Sequence, residues 1–138
     1  MKKITNIFIA ENFTLQEYFS STNELKSTER LKLEVINQNE IILKVNLGGK
    51  NIPTFVEAIL KLPQKTTGEV NFLVESVGDV TLSCLDLSTK SNEIGKDIRL
   101  YRGTDSASLN LKDDTYISFK FTYYTNYDRM GKIKIKCI

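Results

Sequence analysis

The feature that most constrains this chain is a period of two in its apolar residues, which begins at residue 31 and runs to the end. Leu31, Leu33 and Val35 alternate with Lys32, Glu34 and Ile36; after Asn37-Gln38-Asn39, Ile41, Leu43, Val45 and Leu47 alternate with Ile42, Lys44 and Asn46. Successive side chains of a strand point to opposite faces, so this stretch predicts a β-hairpin with one face buried, closed by Gly48-Gly49. The pattern returns at Val70, Phe72 and Val74, at Val80, Leu82 and Cys84, and at Leu109 and Leu111. It is strongest at Ile117, Phe119, Phe121 and Tyr123, and ends with Ile133, Ile135 and Cys137 alternating with Lys132, Lys134 and Lys136. Ile98–Arg102 reads as a short strand. Turns are predicted at Ser76-Val77-Gly78-Asp79, Gly103-Thr104-Asp105-Ser106 and Lys112-Asp113-Asp114, with polar loops over 88–96 and 125–131. Short strands spaced by roughly ten residues predict an all-β fold, an antiparallel two-sheet β-sandwich of jelly-roll-like form. One domain over residues 1–138 accounts for the whole chain.

Composition supports strands. Val, Ile, Thr, Tyr and Phe supply 47 of 138 residues and alanine only three, so strand formers outweigh the best helix former. This decides residues 54–62, bracketed by Pro53 and Pro63. Phe55, Ala58, Ile59 and Leu62 fit a helical face, Val56, Ala58, Leu60 and Leu62 fit a strand, and a strand is preferred. Thr14 and Glu17 have the spacing of a capping box and predict one helical turn, with the run to Arg30 otherwise loop-like around Tyr18-Phe19. Residues 1–13, with Ile7-Phe8-Ile9 and Phe13, read as an arm or an edge strand.

The chain has no histidine, no tryptophan, two cysteines and a formal net charge of +2. Without imidazole there is no serine–histidine or cysteine–histidine nucleophile and no histidine ligand for zinc. The near-zero charge gives no electrostatic footprint for nucleic acid. Cys84 and Cys137 share the parity of apolar neighbours and read as small buried hydrophobes; their pairing is open at this level. Met1-Lys2-Lys3 starts as a secretory leader does, but Thr5 and Asn6 interrupt the apolar run and no small-x-small site follows. No stretch approaches the roughly 20 apolar residues of a membrane helix. The expected setting is extracellular or surface- or particle-associated, without a recognisable signal peptide and without membrane insertion.

A set of segments in the second half carries a resemblance. After a Leu-Pro step come Gly68-Glu69-Val70-Asn71-Phe72, then Ser76…Gly78-Asp79-Val80-Thr81-Leu82 with Asp86 beyond. Ser108-Leu109-Asn110-Leu111-Lys112-Asp113-Asp114-Thr115-Tyr116-Ile117-Ser118-Phe119-Lys120-Phe121 follows, and then the terminal Lys132-Ile133-Lys134-Ile135. This resembles the protective-antigen amino-terminal domain family, a β-sandwich of bacterial toxin components, adhesins and glycosidases. The match covers about residues 55–136, with Tyr18-Phe19 near the start. The resemblance implies a toxin- or adhesin-associated binding domain. Sugar-binding members hold calcium on paired aspartates, because calcium takes six to eight oxygen ligands. Here the matching turn, Val77-Gly78-Asp79, has one aspartate, with Asp86 at a further acidic position. Those two residues are the candidate metal pair, calcium is the only cofactor considered, and the missing second aspartate argues against it.

Among the residues themselves, Tyr123-Tyr124-Thr125-Asn126-Tyr127-Asp128-Arg129 is the most distinctive segment. Flat amphipathic rings beside amide and guanidinium groups suit recognition, so Tyr124, Asn126, Tyr127 and Arg129 are the candidate contacts. The plain alternative is a hairpin loop in which Tyr123 is core and Tyr124 packs on a neighbouring strand. Asp79 and Asp86 have their own plain readings, as a turn residue and a strand end. Lys132, Lys134 and Lys136, with Lys120 beside them, form a basic face, either solvating an exposed strand or meeting an anionic glycan or phosphate. Asp113-Asp114 sits in a turn and offers no cleft, so no catalytic residue is assigned. The chain is expected to be a non-catalytic binding module for a glycan or protein partner. The alternative is a self-assembling subunit of a surface layer, fibre, crystal or phage particle, its arm over residues 4–9 pairing with another copy.

Overall fold

The computed structural model describes residues 3–8, 14–19, 25–26, 31–46, 55–86, 92–93, 97–124 and 130–138. They form β1 (Thr14–Phe19), β2 (Leu25–Lys26), β3 (Leu31–Asn37), β4 (Glu40–Asn46), β5 (Phe55–Asp86), β6 (Asn92–Glu93), β7 (Ile98–Tyr124) and β8 (Met130–Cys137). Every strand pairing is antiparallel. Hydrogen bonds connect them in the order β2-β1-β5-β8-β4-β3, with β6 and β7 also paired to β5. The all-β, antiparallel architecture is as the alternation predicts.

Two strands organise the molecule. β5 has 32 residues and β7 has 27, several times the ordinary strand length of about 5–6 residues. Each passes between two groups of strands. In the first group, residues 115–124 of β7 lie between 55–66 and 79–86 of β5, and β1 and β2 continue beyond 55–66. In the second, residues 68–77 of β5 lie between 102–111 of β7 and β8, and β4 and β3 continue beyond β8. The crossings on β5 fall at Gly68 (φ 127°) and Gly78 (φ 118°), a backbone state that only glycine adopts without strain. On β7 the pairing jumps from Thr66↔Thr115 to Gly68↔Leu111, so Lys112-Asp113-Asp114 bulges out against Thr67 alone. The Thr67 hydroxyl donates to the Asp114 carboxylate there.

The alternating apolar residues of both groups form one core. Leu60, Ile117, Phe119, Phe121 and Leu82 come from the first group, and Ile41, Leu43, Val70, Phe72, Val74, Ile133 and Ile135 from the second; none exceeds 2% exposure. The Phe72 and Phe119 rings join the groups edge-on at 5.4 Å, a contact worth about 0.5–1.5 kcal/mol beyond its buried area. Residues 3–8 close the edge of this core. Lys3 bridges Glu69, the Ile4 amide donates to the Glu69 carbonyl, and the Phe8 amide donates to the Gln38 carbonyl. Ile7 and Phe8 are buried, so this part of the arm already packs on its own chain.

Several expectations are corrected. Thr14–Phe19 is a strand rather than a helical turn, because it pairs residue for residue with Val56–Lys61. Gly103–Ser106 is not a turn either. It continues β7 against Leu73–Ser76, and its polar composition reflects exposure rather than reversal. The segment over 54–62 resolves to the strand reading from Phe55 on, with Val56, Ala58, Leu60 and Leu62 inward. In β3 the inward alternation holds at Leu31 and fades to Val35, which is 44% exposed. The hairpin turn is as expected: the Asn39 amide donates to the Asn37 side-chain oxygen at 2.8 Å. Gly48-Gly49 and Phe13 lie outside the described residues. Cys84 and Cys137 are both free and buried, and burial pushes each thiol up to about 12.

Candidate functional site

The first strand group turns one face to the core, and its other face carries polar and aromatic residues. Register sets these in rows. Tyr124 lies between Phe55 and Asp79 in the first row; Glu57, Thr122, Thr81 and Arg99 form the next row; Ile59, Lys120 and Ser83 form the third. The parity that buries Phe121 and Tyr123 is therefore what presents Thr122 and Tyr124 on this face. The rows enclose a depression of about 290 Å³ lined by Phe55, Glu57, Thr81, Ser83, Asp97, Lys120, Thr122 and Tyr124.

One end of the depression is aromatic. Phe55 and Tyr124 meet at 6.4 Å between centroids, tilted by 52°. The Arg99 guanidinium lies 4.7 Å from the Tyr124 centroid, inside cation–π range. Its Nη2 donates to both carboxylate oxygens of Asp79 at 3.3 Å. The Asp79 side chain is 9% exposed and that of Arg99 is 62% exposed, so a nearly buried carboxylate holds an exposed guanidinium against the ring. At the other end Lys120 Nζ is 3.6 Å from Glu57 Oε1. Thr122 and Thr81 stand between Glu57 and Arg99 in the middle row, and Ser83 lies beside Lys120. The ions are mostly matched, and the face offers directed donors and acceptors beside ring surface.

Of the sequence-predicted contacts, Tyr124 lines this depression. Asn126, Tyr127 and Arg129 lie outside the described residues. The candidate metal pair is not brought together. Asp79 is engaged by Arg99, whereas Asp86 pairs with Asn92 and Ile117 seven residues along the same extended run, roughly 23 Å away. Among the described residues no group of three potential ligands could hold a metal ion. Lys120 is not beside Lys132, Lys134 and Lys136 but in the other strand group, paired with Glu57. Asp113 and Asp114 are exposed on the bulge, where Asp114 accepts from the Thr67 hydroxyl. Sequence reasoning missed Phe55, Glu57, Thr81, Arg99 and Thr122. Parity alone marks Thr122 as a neighbour of Tyr124 on one face, but which strands flank residues 115–124 is not written in their own sequence.

The fold and this face define an all-β chain with a polar–aromatic depression on a strand surface. Among the described residues no helix is long and apolar enough to cross a membrane. No protein-family profile matches the chain, and no curated protein matches it. Solved structures do. A family 29 carbohydrate-binding module complexed with mannohexaose is similar at TM-score 0.46 and 15% identity, over 91% of this chain and 89% of that one. Another of the family, complexed with cellulohexaose, is similar at TM-score 0.45 and 14% identity, over 93% of this chain and 90% of that one. The enzymatically active domain of tailspike protein 4 from bacteriophage CBA120 is similar at TM-score 0.47 and 12% identity, over 93% of this chain but 20% of that one. These scores lie below 0.5, so nothing about a ligand passes from those proteins to this chain.

Proposed function

We propose that the chain is a non-catalytic binding module that recognises a neutral glycan on the face centred on Tyr124. The single observation that carries this reading is the in-register juxtaposition of the Phe55–Tyr124 rings with Thr81, Thr122, Glu57 and Lys120 across three strands. A sugar ring has an apolar C–H surface and a rim of hydroxyls, each both donor and acceptor. The first suits an aromatic ring, and the second suits hydroxyls, a carboxylate and an ammonium on one surface. Three carboxylates (Glu57, Asp79, Asp97) stand with two cations (Lys120, Arg99), so the face carries little net charge to attract an ion. The strand scaffold holds these groups before any ligand arrives, which lowers the ordering cost of binding.

The finer architecture belongs to the same proposal. Folding the two strand groups over the shared core makes a jelly-roll-like sandwich in two layers, of the kind that the resemblance to the protective-antigen amino-terminal family implies. The Phe72–Phe119 contact between the groups supports it. An extracellular or surface-associated setting follows from such a partner.

The test is a neutral oligosaccharide array, with mannohexaose and cellulohexaose among the probes, followed by calorimetry on the strongest binder. The expected result is binding that Tyr124→Ala weakens by at least tenfold, as truncation of a central tyrosine worth about 2 kcal/mol gives. Undiminished binding by Tyr124→Ala, with the variant melting as the parent does, removes the assignment.

A further inference from the structure

The second strand group carries a different surface. Lys32 is directly opposite Lys44, Lys44 is directly opposite Lys132, Lys132 is opposite Val77, and Val77 is opposite Arg102. One transverse row across five strands thus sets three lysines in succession, then a valine flanked on its far side by an arginine. Neighbouring strands are about 4.8 Å apart, so the three lysines span only about 10 Å of backbone. Like charges directly opposite on adjacent strands destabilise a sheet. The next row shows the ordinary solution: Lys134 is opposite Glu75 and its Nζ is 2.8 Å from Glu40. Of the three lysines, Lys44 is so matched, with Glu34 at 2.8 Å, and Lys32 adds only a weaker attraction to the same carboxylate. Lys32 and Lys132 have no ion pair among the described residues and are exposed.

The row borders an open depression of about 520 Å³ whose exposed apolar surface comes from Val77 and Met130, with Asn46 beside them. Met130 is 65% exposed, a large apolar side chain left in water beside the cations. Gly131 is held by the core side rather than by this floor, against the Tyr123 ring. An added Cβ there would run into the Val77 carbonyl oxygen and approach the Tyr123 hydroxyl oxygen to 2.6 Å. Charge arranged along a line, rather than around a point, matches a ligand whose own charge is spread along a chain. An open, shallow floor matches flat rings better than a long alkyl tail, which needs an enclosed slot.

We propose that this lysine row is a binding site for an acidic polysaccharide, a chain bearing sulfates or carboxylates, lying across the strands over Lys32, Lys44 and Lys132. The ligand's anions replace the missing acidic partners, and its sugar rings cover Val77 and Met130. The site is separate from the Tyr124 face, on the other strand group, and takes a different class of ligand.

Dextran sulfate, polygalacturonate, uncharged dextran and phosphatidylserine vesicles are the probes, measured by calorimetry or interferometry over a salt series. The expected result is binding to dextran sulfate or polygalacturonate but not to dextran. The double variant Lys32→Gln/Lys132→Gln weakens it at least tenfold and lowers the slope of log K against log salt by roughly 1.5, at 0.7–0.9 per lost contact. Lys65→Gln/Lys112→Gln, which removes the same net charge elsewhere, retains most of it. A second readout needs no ligand: at low salt Lys132→Gln melts at or above the parent temperature, because a like-charge neighbour of Lys44 is gone. Equal loss in both double variants, equal binding of dextran, or binding to vesicles without either acidic polymer overturns the proposal. The neutral-glycan reading is scored on other probes and other variants, so each reading can fail alone.

Discussion

Replacing Gly78 by alanine tests the crossing on which the candidate face depends. Gly78 sits at φ 118°, where a β-carbon is strained whatever the surrounding space. It also has no space: the new Cβ would lie 2.5 Å from Tyr123 Cε2, 2.6 Å from its Oη and 2.9 Å from Cζ. That ring is 1% exposed in a close-packed core and cannot swing away. The backbone conformation costs about 1–2 kcal/mol and the overpacking about 1–3 kcal/mol, so the total is roughly 2–5 kcal/mol. At this chain length an unfolding entropy near 2 cal/mol/K per residue makes each kcal/mol worth about 3.5 °C, and the expected fall in melting temperature is roughly 7–17 °C. A marginal stability of about 5–15 kcal/mol leaves the variant folded at low temperature. The assay is thermal unfolding followed by circular dichroism or calorimetry. Gly103→Ala is the internal control, since nothing lies within 4 Å of its added carbon; it should melt within a few degrees of the parent. Tyr123→Leu removes all three contacting atoms, so the double variant Gly78→Ala/Tyr123→Leu should be less destabilised than the sum of the singles. A Gly78→Ala protein that melts within 2 °C of the parent, or strict additivity in that cycle, would refute the reasoning.

Four further outcomes are expected. Ser118 Oγ is fully buried on residues 115–124 and has no hydrogen-bond partner among the described residues, so Ser118→Ala should be neutral or stabilising by about 1 kcal/mol in denaturant unfolding; a large loss would mean that the hydroxyl is satisfied in solution. Cys84 and Cys137 should resist alkylation at neutral pH until the protein unfolds, since burial holds both thiols protonated up to about 12. Because those folded values are raised, the stability linked to them is whole below the unfolded thiol value and is lost as pH climbs from about 9 toward 12, visible as a falling melting temperature that Cys84→Ser reduces. Asp79→Asn should release Arg99 from the Tyr124 ring and weaken neutral-glycan binding while calcium, added or chelated, leaves both parent and variant melting unchanged; a calcium-dependent rise in the parent would restore a metal role for Asp79.

Much of the fold is legible because burial in a strand follows parity. The inward sets at Val70–Val74, Val80–Cys84, Ile117–Tyr123 and Ile133–Cys137 were all predictable, and all are buried. Thr14–Phe19 and Gly103–Ser106 were not legible, for one reason. Their local composition favours a cap or a turn, and only pairing with Val56–Lys61 and Leu73–Ser76 makes them strands. Propensity is weak where a partner strand supplies the hydrogen bonds. The site shows the same division. Tyr124 was marked by its own neighbours in sequence, yet Arg99, which lies over its ring, is 25 positions away and is positioned through a third residue, Asp79. The Lys32–Lys44–Lys132 row is spread over 100 positions and exists only through the register of β3, β4 and β8.

What the period-two alternation determined by itself was therefore the type of element and which side of each strand faces inward, since both follow from the geometry of a single extended backbone. Tertiary structure decided the neighbours. Two glycines and one bulge let β5 and β7 serve both strand groups, and that choice sets which side chains share a face. Recognition surfaces are built from such neighbours, one or two from each of several strands. They become visible only once the register between strands is known, and no single strand carries that register in its own residues.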